Sequence, residues 1–266
     1  MNIDVISDLV ITIAKEEILP RFKRLAATDI TAKSPGDMVS VADTETETAL
    51  TRALNRLYPA AVVSGEEMIA KNPQMMEKVI AANRAFLIDP IDGTNNFIRG
   101  DQRFALMLTH LHYGKVVAAW IYLPFFDKIA VAEKGGGAFL NGKKITVFAG
   151  KFEPSEMTGA AHINRFPDHI KKMARENMKN FAANRPAFCA GYDYIALLEG
   201  KKDFSVYYRT LPWDHLPGSF IYMAAGGFVR TLDRRQYTIH DRDRGLLSAP
   251  NAQHWQRIRD IIFPVV

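Results

Sequence analysis

The apolar positions of the chain change their period as it runs. Over residues 3 to about 27, Ile6, Leu9, Val10, Ile13, Ile18 and Leu19 recur at mostly helical spacing, and Pro20 predicts a kink or a stop because proline lacks the N–H that a helix needs. A turn and an extended piece fill Thr31 to Asp43, and a helix over Thr44 to Leu57 presents Ala49, Leu50, Ala53, Leu54 and Leu57 on one face. Residues 60–64 read as a strand, residues 74–84 as a connecting helix, and Ala85-Phe86-Leu87-Ile88 as a short buried strand. Alternation then takes over in Phe104 to His112, Val116 to Tyr122 and Ile129 to Ala132, and closes around Asn141-Gly142, a strong hairpin-turn pair. This pattern predicts an antiparallel meander.

Beyond residue 150, strands alternate with helices, as in α/β folds. A strand near 157–162 precedes a basic amphipathic helix over 167–182 with Ile170, Met173, Met178 and Phe181 inward. A helix ending near Gly200, a strand over Asp203 to Tyr208, a helix from Trp213 to about Ala225 and a last helix over 252–262 complete the chain. The expectation is one unit over 1–266, with an α+β half over about 1–150 and a smaller α/β half over about 151–266.

Composition narrows the class. With 48% hydrophobic residues in 266, the chain can bury a large core, and its one cysteine excludes an internal disulfide framework. Met1-Asn2-Ile3-Asp4 lacks the basic start of a secretory signal, and Asp8, Lys15, Glu16 and Glu17 interrupt the most apolar opening segment, so a cytoplasmic protein without membrane insertion is expected. The formal charge of +5 suits anionic partners, but Lys and Arg are scattered without the dense tract of a nucleic-acid arm.

Asp89-Pro90-Ile91-Asp92-Gly93-Thr94 concentrates the chemistry. Asp89 leaves a buried strand, and Pro90 sets the turn so that Asp92 converges with it. Two converging carboxylates repel unless a cation lies between them, and magnesium prefers such hard oxygen donors. Gly93 permits close approach of an anion, whose phosphate the amides of Gly93 and Thr94 would meet if a helix begins there. The same six residues would also suit an acidic surface turn. Asp43 and Asp214, each at a helix start, could each be a cap. His110 and His112 share a strand face without a third ligand nearby, and no motif pairs Cys189 with a histidine.

The run from Asp89 to Phe97 resembles the first signature of the inositol monophosphatase family, magnesium-dependent and lithium-sensitive sugar phosphatases. Gly65-Glu66-Glu67 and Trp213-Asp214 with Gly218 and Ala224-Ala225-Gly226-Gly227 match further family elements in the family's order. The resemblance implies an αβαβα layered sandwich, a mixed and largely antiparallel N-terminal sheet, and a homodimer acting on a small phosphorylated substrate. It also implies two or three Mg²⁺ per subunit: one on Glu66, Asp89 and the carbonyl of Ile91, one on Asp89, Asp92 and Asp214, and a weaker third near Glu66. Asp43 and Thr94 would orient the attacking water, and the substrate would lie against Asp92, Gly93, Thr94, Asn95 and Asp214. Arg185 to Ala190 resembles the family's Arg-x-x-Gly-Ser/Thr-Ala pocket element, with Phe188 and Cys189 in place of the glycine and hydroxyl residue and Ala190 retained. Tyr207 stands where inositol phosphatases of the family usually place a glutamate. Inositol monophosphate or a related sugar phosphate is the expected substrate, with fructose-1,6-bisphosphate, histidinol phosphate or a bisphosphonucleotide as alternatives, and an RNA- or transcription-associated role as the rival of another class.

Overall fold

In the computed structural model, residues 2–34 and 36–264 are described. Helix α1 (Ile3–Ile13) continues as a π turn over Ala14–Ile18 and a 3₁₀ turn over Leu19–Arg21. The helical run ends at the turn that holds Pro20, as expected, because the missing N–H of the proline breaks the hydrogen-bond ladder. Strands β1 (Ile30–Ser34) and β2 (Asp37–Ser40) form a hairpin, and α2 (Val41–Leu57), β3 (Val62–Gly65), α3 (Glu66–Lys71) and α4 (Met75–Ala81) lead to β4 (Ala85–Asp92). Next come α5 (Thr94–Ile98), β5 (Ala105–His112), β6 (Lys115–Leu123), β7 (Lys128–Glu133), β8 (Gly137–Leu140) and β9 (Lys143–Ile145). Asn141 and Gly142 both adopt positive φ between β8 and β9, as a two-residue primed turn requires.

The second half contains β10 (Thr158–Ala161), α6 (Asp168–Asn177), β11 (Ala183–Asn184), α7 (Ala190–Leu198), β12 (Phe204–Tyr207), α8 (Pro212–Ala224), β13 (Phe228–Thr231), β14 (Leu246–Ala249) and α9 (Ala252–Ile262). Strands β3 to β9 make one sheet in sequence order, parallel only at β3/β4, while the second sheet has the order β11-β10-β12-β14-β13. The N-terminal sheet is thus mixed and mainly antiparallel.

Strand alternation builds the layers. Phe86, Ile88, Leu106, Leu108 and Trp120 face a cluster with Ile6, Val10, Leu50 and Leu54 of α1 and α2. The intervening residues Ala85, Leu87, Ala105, Met107 and Ile121 face Tyr194, Leu197, Leu216 and Tyr222 of α7 and α8. On the far side of those helices lies the second sheet, whose Phe204, Val206 and Leu247 pack on Met178, Trp255 and Ile258 beside and on the outer helices. The result is an αβαβα sandwich. Among the described residues, no helix is long and apolar enough to cross a membrane.

Candidate metal and phosphate site

The expected end of β4 at Asp89 is overtaken by a bulge. Asp89 pairs with Met107 and Asp92 with Ala105, so three steps on β4 oppose two on β5. An odd step would ordinarily turn Asp92 to the other face; the extra residue restores the phase, and both carboxylates join the side that faces α7 and α8. Gly93 follows with φ of 84°, and a Cβ there would lie 3.0 Å from Cys189 and 3.1 Å from the Arg103 carbonyl. Only glycine meets both conditions without strain.

Asp43 is not the cap of α2. Ser40 precedes the helix, and both its backbone N–H and its hydroxyl donate to Asp43 Oδ2, at 2.8 and 2.6 Å. The other carboxylate oxygen faces the Thr94 hydroxyl at 3.0 Å, which also lies 2.9 Å from the Ile91 carbonyl oxygen. Burial raises the Asp43 pKa to about 7, against the pull of Ser40. Asn95 and Asn96 anchor the start of α5: Asn95 donates to the Gly36 carbonyl, and Asn96 to those of Arg103 and Ala187.

Glu66 opens α3 directly after β3. Its Oε1 accepts from Lys33 Nζ at 2.6 Å, and the same ammonium reaches Glu67 Oε1 at 2.9 Å. Glu67 is 5% exposed. Beneath this turn lies Glu47, whose carboxylate accepts from the N–H groups of Glu67 and Met68 at 2.8 and 2.9 Å and caps the short helix. A Cβ at Gly65 would sit 2.3 Å from Glu47 Oε2, so this glycine makes room for the cap.

Ligand oxygens of Glu66, Asp89 and Asp214 lie within 4.8 Å of one another. Asp89 is 1% exposed and its Oδ1 is buried without a hydrogen-bond partner among the described residues. Burial, then repulsion from Glu66, Asp214, Asp92 and Asp43, raises the Asp89 pKa well above the carboxylate range; burial with Glu66 and Asp92 raises Asp214 likewise. An all-oxygen set whose charges oppose one another, and in which one Asp89 oxygen lacks a donor, fits a hard divalent cation such as magnesium. Asp92 stands apart from this triad in its bonding: its Oδ2 accepts from Gly191 N–H at 2.6 Å and from the Cys189 thiol at 3.1 Å. Burial nonetheless lifts its pKa to about 6.

The triad opens into a crevice of about 840 Å³ that is also lined by Asp92, Gly93, Thr94, Asn95, Phe188, Cys189, Ala190 and Tyr207. Phe188 is 57% exposed and holds a positive φ of 57°, a strained conformation for a residue with a Cβ. Cys189 caps α7, accepting from Tyr192 N–H, and burial pushes its thiol pKa up, the reverse of an activated nucleophile. Tyr207 is 5% exposed and turns its hydroxyl inward to Asp193 Oδ2 at 3.3 Å.

A family model for inositol monophosphatases matches residues 3–262. The chain belongs to the inositol monophosphatase family. It is 29% identical over 226 residues to an inositol-1-monophosphatase from Mesorhizobium japonicum, covering 84% of this chain and 81% of the relative. It is 28% identical over 227 residues to the Nus factor SuhB of Pseudomonas aeruginosa, covering 81% and 80%. The fold matches an IMPase structure from Thermotoga maritima with a TM-score of 0.83 at 23% identity, over 98% and 96% of the two chains.

Within this inositol monophosphatase fold, the structure brings Glu66, Asp89 and Asp214 together and sets Thr94 against Asp43, while Asp92 is bonded to the pocket element. Four polar residues that sequence reasoning passed over complete the surroundings: Lys33, Glu47, His162 and Asp193. Glu47 left a signal, since it follows Asp43 by one helical turn and shares a face with Leu50 and Leu54. Asp193 carried none, because its partners come from separate elements.

Proposed function

We propose that the chain is a magnesium-dependent phosphatase that hydrolyses the phosphate monoester of a small polyol or sugar. The observation that carries this reading is the buried Oδ1 of Asp89, without a partner among the described residues, in a group of three mutually repelling carboxylates. Glu66, Asp89 and Asp214 would hold the cations, two or three in number, with Asp92 and the second lone pair of the Ile91 carbonyl completing the set. When bound, such ions neutralise phosphoryl oxygens, lower the pKa of water and stabilise the departing alkoxide.

The protein's own groups supply the rest. The Thr94 hydroxyl can accept from an attacking water while donating to Asp43, so the pair fixes where the water stands. Asp43, with its pKa near neutrality, is suited to take up the proton. The Gly93 and Thr94 amides are assigned to the phosphate oxygens. The fold leaves fructose-1,6-bisphosphate, histidinol phosphate and bisphosphonucleotides as alternative substrates. The working form we expect is a cytoplasmic homodimer in which residues 1–266 form a single unit; light scattering tests the dimer.

Several relatives are named as Nus factors, which gives the regulatory reading its standing. A surface-acting protein would gain nothing from a buried Asp89 crowded by the carboxylates of Glu66, Asp92 and Asp214, and that favours hydrolysis. A panel of phosphate esters with Mg²⁺, run beside RNA and polymerase binding assays, decides between them. Turnover that chelator abolishes is expected; inertness on the whole panel together with RNA or polymerase binding would reverse the ranking.

A further inference from the structure

Asp193 on α7 is wholly buried, yet it is fully satisfied. Its Oδ1 accepts from the buried Lys202 ammonium, its Oδ2 from His162 Nε2 at 2.8 Å and Tyr207 OH at 3.3 Å, and Ala187 N–H lies 3.2 and 3.3 Å from the two oxygens. A carboxylate has about four lone-pair sites, and here four donors fill them. Paired with an ammonium and three further donors, Asp193 acts only as an acceptor, so His162 Nε2 carries the proton. With its Nε2–H committed to Asp193, the tautomer that this bond selects presents Nδ1 as the lone pair.

His162 lines the crevice, and its Nδ1 has no partner among the described residues. Unlike both ring nitrogens of His110, it is not sealed from solvent. The ring is held in place on two sides. It stacks on Tyr207 with centroids 4.5 Å apart and planes at 23°, and Phe188 meets it edge-on at 5.7 Å. Tyr207 in turn packs on His215 at 4.3 Å, one residue beyond Asp214, so a run of rings joins the acidic cluster to the imidazole. Tyr207 has turned its hydroxyl inward and Phe188 has no polar atom.

We propose that His162 Nδ1 accepts a hydrogen bond from a hydroxyl of the alcohol being released, making His162 the residue that selects a polyol phosphate over a plain alkyl phosphate. This rests on the phosphatase reading above. Discrimination of this kind comes from a hydroxyl and its acceptor finding each other in a shielded wall, where the partner of an absent hydroxyl is left unpaired.

The test compares inositol 1-phosphate with cyclohexyl phosphate, the same ring without hydroxyls, in the presence of Mg²⁺. His162→Phe keeps the stack and removes the acceptor. The preference for the hydroxylated ester, as a ratio of kcat/KM values, should fall by about tenfold or more, mainly through KM for inositol 1-phosphate. Cyclohexyl phosphate kinetics should hardly change. His162→Asn, whose carbonyl can replace the Nδ1 lone pair, should retain part of the preference, and His162→Leu repeats the loss if the phenylalanine variant does not fold. An active wild-type enzyme with no such preference, or variants that lose both esters equally, would overturn the proposal while leaving the phosphatase reading in place. A wild type inert on both esters and on the wider panel would instead remove that reading, and this proposal with it.

Discussion

Asp89 and Asp193 are both buried carboxylates beside the same crevice, and the fold treats them in opposite ways. Asp193 receives an ammonium, an imidazole N–H, a phenol and a backbone N–H. Asp89 receives nothing at Oδ1 from the described residues and is surrounded by Glu66, Asp214, Asp92 and Asp43. Burial alone therefore says little about whether a charge is structural or chemical. The supply of donors says more: where it is complete the carboxylate organises the wall, and where it is withheld the site asks for a cation.

The largest expected break in this contrast is Asp89→Asn. Turnover should fall by two or more orders of magnitude, about 3 kcal/mol or more of transition-state stabilisation, because the buried carboxylate of the triad is gone. The metal-free variant should nevertheless melt higher than the metal-free wild type, since the amide removes a repelled charge. A lower melting temperature would mean that Asp89 has donors the structure does not provide.

Asp193→Ala should have the opposite sign on stability. It strands the buried Lys202 ammonium, and urea unfolding should show a loss of about 3–5 kcal/mol, the cost of breaking a buried pair by removing one partner. A loss under about 1 kcal/mol would place Asp193 among ordinary surface charges and end the comparison.

The acidic region also predicts a response to pH. Asp43 and Glu47 each have a folded pKa raised to about 7 by burial, and Asp92 one raised to about 6. Raised carboxylate values favour the folded state while the groups are protonated, so this contribution is present below about pH 4 and is lost as pH climbs toward 7. The metal-free protein should lose stability over that interval. Magnesium at a hundred times its Kd should return about 2.7 kcal/mol at neutral pH and flatten the curve, which thermal melts with and without chelator would show. A metal-free curve that rises steadily from pH 4 to 7 would contradict the assignment of these groups.

The smallest effect belongs to Tyr207→Phe. It removes one donor of four from Asp193 and should cost about 0.5–1.5 kcal/mol, with the Mg²⁺ requirement unaltered. A large change in metal affinity would tie the satisfied hub to the acidic triad more closely than the geometry implies.

The chain announces its elements and its chemical vocabulary locally. Alternation and helical spacing separate the antiparallel half from the α/β half, and Asn141-Gly142 specifies its turn through two positive φ values. Gly65-Glu66, Asp89 to Thr94 and Trp213-Asp214 carry the acidic residues in a form that resembles the family in the sequence alone. These are readable because they depend on neighbours along the chain, where backbone sterics and side-chain period act.

Tertiary structure alone decided how those pieces meet. The phase of Asp89 against Asp92 depends on a bulge that only the β5 register reveals, and without it one of the two would face the helices α1 and α2. Glu47 becomes a cap because β3 brings the first turn of α3 over it, and Asp43 becomes a partner of Thr94 because α2 packs against the end of β4. His162, Asp193, Lys202 and Tyr207 are unremarkable residues in the sequence, drawn from β10, α7 and β12 and the turns beside them, and they become a saturated hub only when those elements pack. Local sequence sets which side of an element a residue faces. Which sides then face each other, and whether a buried charge finds donors there, is a property of the packed layers.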